Sequence, residues 1–572
     1  MKKFIKHFAI LGLLVLALAF SAACRGDNGD ANQPEATPEQ PAPPAATPDP
    51  TPDPDPEDDE VVLGRPGGLP RYVEGELTIM FWSGDGVLRR DVGNVFYDPE
   101  EVISRHAGAA IATAQMFNQM YPNVVINVMG TPGGHTLEGV GWVDQRYNFY
   151  LEHGLQPDIF QVNHLDMEIE RGLIADLSIF ADYEVTQIFN PDVLELFQVH
   201  GRQFGIPLGI APWGVWVNRS LALENNIDIP SPNWTMEEYM NFVSNSSRNE
   251  WYGATQANVY ILYSGTRDFH WLLRHRDQDD PFVRFNSDAT RHMLSYLPRM
   301  ANHSIWPQYA IGNVSAEFMD SFGRSGWRAF AEGFMLTHIT DPWNLRSAGN
   351  PEHANRVQVA DWDIFPRPST DYVDNHIGVF LDPLAIRNMA MDDGNPELND
   401  EEYAQLRLAY EFMTFFRGDV DAWRAQAQFQ YSPARNSALD NTFPVVRPGP
   451  VFDEMMDIWF AIPERQHFGD PNLMPGFAAV VDLWRDGQFW QPWHNFPLHI
   501  EIEGTRRRIE EEFISKRDPN LVGADQNDPN WLEMVYVRLP EWDELTNERW
   551  ELRFEQLAEA IERFYPVQTP RN

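Results

Sequence analysis

Apolar positions along the chain alternate as strands require, then recur as helices require, several times over. Leu77, Ile79 and Phe81 alternate, which predicts a strand. Ile111, Ala114, Phe117 and Tyr121 recur at helical spacing, and Pro122 closes that run. Val124, Ile126 and Val128 alternate again up to a Gly/Pro turn at 130–134. Pro157-Asp158-Ile159-Phe160 reads as a further short strand, and 205–208 and 214–218 as extended chain. Trp234 to Glu238 looks like a helix start, with Asn233 or Thr235 as its cap. Asp363-Ile364-Phe365 is a strand ending at Pro366, and Phe554, Leu557, Ile561 and Phe564 make a late amphipathic helix. Strand and helix signals in alternation imply an α/β class.

The first 60 residues follow other rules. Lys2, Lys3 and Lys6 precede an unbroken apolar run from Phe8 to Phe20, and Ser21-Ala22-Ala23 are small. A basic start, a short apolar middle and a small-residue cut site make a bacterial secretory signal over residues 1–23. The run is shorter than the ~20 apolar residues that span a bilayer. Cys24, the single cysteine, sits at the cut and resembles the lipid-acceptor residue of a bacterial lipoprotein. Ser21 stands where the lipobox usually carries Leu, and Ser21 with Ala23 also suits ordinary signal peptidase, which would release a soluble protein. Residues 25–60 hold ten prolines, eleven acidic residues and no aromatic. Such a stretch has too little apolar surface to offset its ordering entropy. As an extended, self-repelling chain at roughly 3 Å per residue it reaches up to about 110 Å. We therefore expect a lipid-anchored Pro/Asp-rich linker over 24–74, which places the body on the extracytoplasmic face of a cell membrane.

Composition narrows the classes further. About 500 residues remain beyond the linker, at 43% hydrophobic and 13% aromatic overall, enough for two or three domains with substantial cores. One cysteine permits no internal disulfide. The formal charge of −41 becomes −44 without the three leader lysines, which opposes nucleic-acid and anionic-lipid surfaces. Gly130 to His135 is glycine-rich but lacks the Lys-Ser/Thr of a phosphate loop, and reads as a turn. Asp277, Asp279 and Asp280 lack the glycine and distal glutamate of an EF-hand, and Glu510 to Glu512 read as a solvated helix face. No His-Glu-x-x-His motif occurs, so no metal and no cofactor is expected.

Nine short motifs stand in a telling order. They are 77–82 (LTIMFW), 117–124 (FNQMYPNV), 157–159 (PDI), 172–177 (GLIADL), 205–208 leading to Trp216-Val217-Asn218-Arg219, 232–235 (PNWT), 341–345 (DPWNL), 362–368 (WDIFPRP) and 377–379 (IGV). In this order, behind a lipoprotein leader, they resemble extracellular solute-binding protein family 1, the maltose-binding-protein-like receptors of carbohydrate ABC importers. The resemblance runs over roughly 75–440. It implies a two-lobe periplasmic-binding-protein-like fold (type II) with hinge crossings and an interlobe cleft. Lobe 1 would hold 75–208 and 366–435, and lobe 2 would hold 209–365 and 436–572, including a C-terminal helical extension. Crossings are expected near 206–213, 365–371 and 431–441. Two departures stand out: Asp85 to Ala109 widens the gap after the first strand, and the chain beyond Asn441 is longer than usual.

The same resemblance implies a carbohydrate ligand, ABC permease transmembrane subunits as partners, no nucleic acid, a monomer, and no catalysis. A pyranose offers an apolar face to flat aromatics and a hydroxyl rim to Asp, Asn and His. On that basis the ligand-binding candidates are Trp82, Asn163, His164, Asp166, Trp213, Asp341, Trp343, Trp490 and Trp493. Nineteen tryptophans also have cores to fill, and aspartates also cap helices, so each residue has a purely structural alternative. Two other classes remain open: a secreted glycan-active enzyme with paired carboxylates, and a surface lipoprotein that senses or adheres without transport.

Overall fold

The computed structural model describes residues 63–566, apart from 66–67, 83–90, 93–94, 97–104, 132–155, 163–164, 181–184, 247–251, 255–285, 297–320, 323–325, 340–343, 350–355, 392–393, 430–438, 440–442 and 491–528. In chain order the strands are β1 (Gly75–Trp82), β2 (Asp91–Val92), β3 (Val95–Phe96), β4 (Val124–Thr131), β5 (Ile159–Gln161), β6 (Gln198–Val199), β7 (Arg202–Gln203) and β8 (Ile206–Trp213). They continue with β9 (Val215–Asn218), β10 (Tyr252–Ala254), β11 (Met335–His338), β12 (Trp362–Phe365), β13 (Ile377–Ile386) and β14 (Phe489–Trp490). The helices that carry the argument are α1 (Arg105–Met120), α2 (Leu165–Glu170), α3 (Met236–Ser246), α4 (Asp288–Ser295), α5 (Asp400–Gly418), α6 (Val420–Gln428), α7 (Pro450–Ala461), α8 (Pro475–Arg485) and α9 (Pro529–Phe564).

The strands form two main sheets. The larger runs β14-β13-β5-β1-β4-β3-β2, with β8 along the other edge of β13; the smaller runs β10-β11-β9-β12. β1 pairs in parallel with β4 and β5 at the centre of the larger sheet. Leu77, Ile79, Met80 and Phe81 are all buried, as a central parallel strand covered on both faces demands. The apolar side of α1 (Ala107, Ala110, Ile111, Ala114, Phe117) enters the same core. A second cluster covers one face of the smaller sheet, from Val215, Val217 and Leu336 to Trp234, Tyr239 and Val243, while Trp216, Met335 and Ile364 on its strands belong to the first.

The chain passes from the larger sheet to the smaller between Trp213 and Val215, and returns between Phe365 and Ile377. Gly214 makes the first passage possible: a Cβ there would lie 2.5 Å from the Phe365 carbonyl oxygen. The third expected crossing, 431–441, lies outside the described residues except Leu439.

Several boundaries differ from expectation. Residues 63–65 and 68–74, expected in the linker, pack onto the body, because Arg65 pairs with the fully buried Glu411 and Gly64 lies against Tyr121. α1 begins at Arg105, so the segment after β1 is shorter than 85–109. Within it β2 and β3 pair antiparallel, and β3 extends the sheet beside β4. Residues 209–213, expected in lobe 2, complete β8 on the larger sheet, where Trp213 faces Gly378. The assignment of 436–572 to lobe 2 changes in part: α8 does pack on β12 of the smaller sheet, through Gly476 and Phe477. β14 joins the larger sheet beside β13, and α9 docks on α2 through Arg553, which pairs with the buried Asp166.

Candidate functional site

The C-terminal ends of β1, β4 and β5 lie side by side, with Trp82 level with Thr131 and Met80 level with Phe160. Open α/β sheets bind ligands at such strand ends. Trp82 is thus placed at that edge by register. Asn163 and His164 follow β5 but lie outside the described residues, as do Asp341, Trp343, Trp493 and Cys24. The Gly/Pro turn beyond Thr131, the 277–280 acidic loop and Glu510 to Glu512 lie outside them too.

Below this edge the strands are tied by Asp158. It accepts a hydrogen bond from the Thr78 backbone N–H at 2.8 Å and faces Arg387 at 3.3 Å. Burial raises its carboxyl above the ordinary value against the pull of these partners.

Asp166 opens α2 and is fully buried, not on a rim. Arg553 holds its Oδ2 at 3.2 Å and holds Glu170 at 2.8 Å. The carboxylate that the sequence offers for sugar hydroxyls therefore faces the C-terminal helix.

Trp213 sits at the end of β8, 3% exposed, and its indole N–H donates to the carbonyl of Ile339, just beyond β11 of the smaller sheet. On β13 its rung partner is Gly378, and on the other edge of β13 Trp490 is level with the same Gly378. Two of the candidates thus share one rung of β13, the strand that follows the chain's return to the larger sheet. The register puts that rung six residues along β13 from Leu384, the partner of Gln161, or about 20 Å from the β5 end.

Sequence reasoning missed the cation at this rung. Arg367, just beyond β12, is fully buried with its guanidinium 5.0 Å from the Trp213 ring centre. Its Nε donates to the Trp213 carbonyl at 3.2 Å, and its backbone N–H donates to His376 at 2.8 Å. A Cβ at position 378 would approach the guanidinium to 2.9 Å, so a glycine there leaves room for it. Burial pulls Arg367 down to about 9, which leaves it charged at neutral pH. Cation, indole and glycine come from the 366–376 loop, β8 and β13, and lock the passage between the sheets. The available signal was Arg367 within 362–368 and Gly378 within 377–379, two motifs read only for their order.

The loop 366–376 is laced to the second lobe as well. Trp234 donates its indole N–H to the Pro366 carbonyl at 2.8 Å, and Asn375 donates to the Trp234 carbonyl at 2.8 Å. Asp363 on β12 accepts from the backbone N–H groups of Gly476 (2.8 Å) and Phe477 (3.0 Å), capping α8. Burial pushes its carboxyl up to about 6 despite these donors and Arg219. Among the described residues no group of three or more His, Cys, Asp or Glu is placed to hold a metal ion, and no helix is long and apolar enough to cross a membrane.

No family model matches this sequence, and no curated protein matches it. Solved structures do. The chain is similar to an ABC substrate-binding protein from Listeria monocytogenes in complex with cycloalternan, at 14% identity over 82% of this chain and 99% of that one, with a TM-score of 0.50. It is similar to a sugar transporter from Rhizobium etli in an open conformation, at 13% identity over 81% and 99%, with a TM-score of 0.51. These likenesses show the fold, the two-lobe α/β architecture of periplasmic binding proteins.

Proposed function

We propose that this protein is the solute-binding receptor of an ABC importer, a member of extracellular solute-binding protein family 1, and that it takes a carbohydrate between its two lobes. The observation that carries this reading is the passage of the chain between two sheets at Gly214 and again at 366–376. Two bodies joined by narrow strands can close over a solute and be held closed by it, provided the solute binds the closed form better. The Listeria and Rhizobium proteins, described as binding cycloalternan and as a sugar transporter, support a glycan as that solute. The protein binds its solute and releases it unaltered to permease subunits.

Cys24 carries the lipid anchor, and residues 25–60 form the leash on the extracytoplasmic face. The ligand set is that expected from the sequence around Trp82, with Asn163, His164, Asp341, Trp343, Trp490 and Trp493. Trp213 and Asp166 belong to the frame that positions it.

Calorimetric titration of the mature protein with a panel of neutral oligosaccharides tests this reading. Saturable 1:1 heat with at least one glycan, lost in Trp343→Ala while the melting temperature without ligand is kept, is the expected result. Failure of every glycan to bind, or the appearance of new reducing ends, would reject it. Radiolabelled palmitate should enter the wild-type protein in cells and not Cys24→Ser.

A further inference from the structure

We infer that the C-terminal helix α9 is a jointed strut latched to both lobes, and that its second-lobe latch, Arg291 against Tyr536, limits how far the lobes move. The inference rests on the reading above that the lobes move relative to one another about β8 and β13.

The first anchor of α9 is deep. Arg553 reaches the fully buried Asp166, and Phe564 packs on Gly172, where a Cβ would meet its ring at 2.8 Å. Tyr565, just past the helix, is buried, and its carbonyl accepts from Arg202 at 2.6 Å. Pulling this end away would strand a buried carboxylate, which costs several kcal/mol.

The second anchor is shallow and lies on α4, whose Met293 belongs to the core around the smaller sheet. The Arg291 guanidinium stacks 4.9 Å from the Tyr536 ring centre, and the Tyr536 hydroxyl donates to the Arg291 carbonyl at 2.9 Å. The Asn286 backbone N–H donates to Asp543 at 3.0 Å. These contacts are part-buried or exposed and are worth far less than the buried pair.

Within the second anchor, between Tyr536 and Asp543, sits Pro540, a proline inside the helix. Proline has no N–H, so the Tyr536 carbonyl four residues earlier loses its helical partner. Arg291 of the second lobe donates to that carbonyl, at 3.4 Å. The break in the helix and the latch therefore coincide. Seventeen residues separate Tyr536 from Arg553, a lever about 26 Å long. A lever fixed firmly at Arg553 and weakly on α4 must let go of α4, at Asp543 and at Arg291, when the lobes move further than these contacts allow.

Spin labels at Glu237→Cys and Glu401→Cys, both exposed and one on each lobe, in a Cys24→Ser background report the interlobe distance without any ligand. The expected result is a narrow distance distribution in the parent and one about twofold wider in Arg291→Ala. Asp543→Ala, which leaves Arg291 and Tyr536 in place, should widen it less but in the same direction, and guards against a local loss of α4. Equal widths in all three proteins would overturn the latch. The measurement needs no sugar, so failure of every glycan to bind would reject the proposed solute and leave this readout standing.

Discussion

Gly214 and Asp363 show how far single atoms decide this architecture. A methyl group at 214 meets a backbone carbonyl, which cannot rotate away as a side-chain tip can. Gly214→Ala should therefore cost about 1–3 kcal/mol, read as a lower urea midpoint with an unchanged slope. A midpoint equal to wild type would mean that the two passages are less tightly apposed than described. Asp363 predicts a pH signature. Its folded value, about 6, lies above its ordinary 3.8. The folded form thus holds a proton between those values that the unfolded chain has lost, and stability falls as pH rises through that window and is level above it. From pH 7 to pH 4 the wild type should gain up to about 3 kcal/mol relative to Asp363→Asn, measured by urea melts at both pH values. Parallel profiles would contradict the burial of a carboxyl at the start of α8.

Elements with a strong local period were legible, and elements held by distant partners were not. The alternation of Leu77, Ile79 and Phe81 became β1, and that of Val124, Ile126 and Val128 became β4. Of the two caps proposed for the helix after Trp234, Thr235 is the one used: Glu238 N–H donates to its hydroxyl and Glu238 accepts from its N–H. The helix from Phe554 to Phe564 was legible, with Leu557 and Ile561 buried as its stripe requires. Its docking was not, because Arg553 finds Asp166 at a separation of 387 residues and no local pattern encodes that pairing. For the same reason the sequence alone offers Asp166 as a ligand contact. Arg553→Ala should destabilise the fold by roughly 3–5 kcal/mol, since it leaves Asp166 buried without its cation. It should also speed proteolytic cleavage within α9 ahead of global unfolding. If α9 were cut no faster than in wild type, the anchor would lie elsewhere.

Among the described residues two main sheets meet where the chain passes between them, and there Arg367 is clamped among Trp213, Gly378 and the 366–376 loop. The class of fold was legible because strand and helix signals alternate along the chain, a pattern that does not depend on close identity to any solved structure. The binding surface was less legible. Tryptophans that stack on sugars and tryptophans that fill cores are the same residue, and only position separates them. Trp213 was singled out for its place beside the crossing, and the structure gives it a framework role there, with its indole N–H spent on Ile339.

The measurement closest to the central claim is small-angle X-ray scattering of the mature protein with and without a saturating oligosaccharide. The account predicts a smaller radius of gyration and a shorter maximum dimension when the glycan is bound, with the sugar recovered chemically unchanged. Identical scattering curves at proven saturation, or a cleaved glycan, would contradict it.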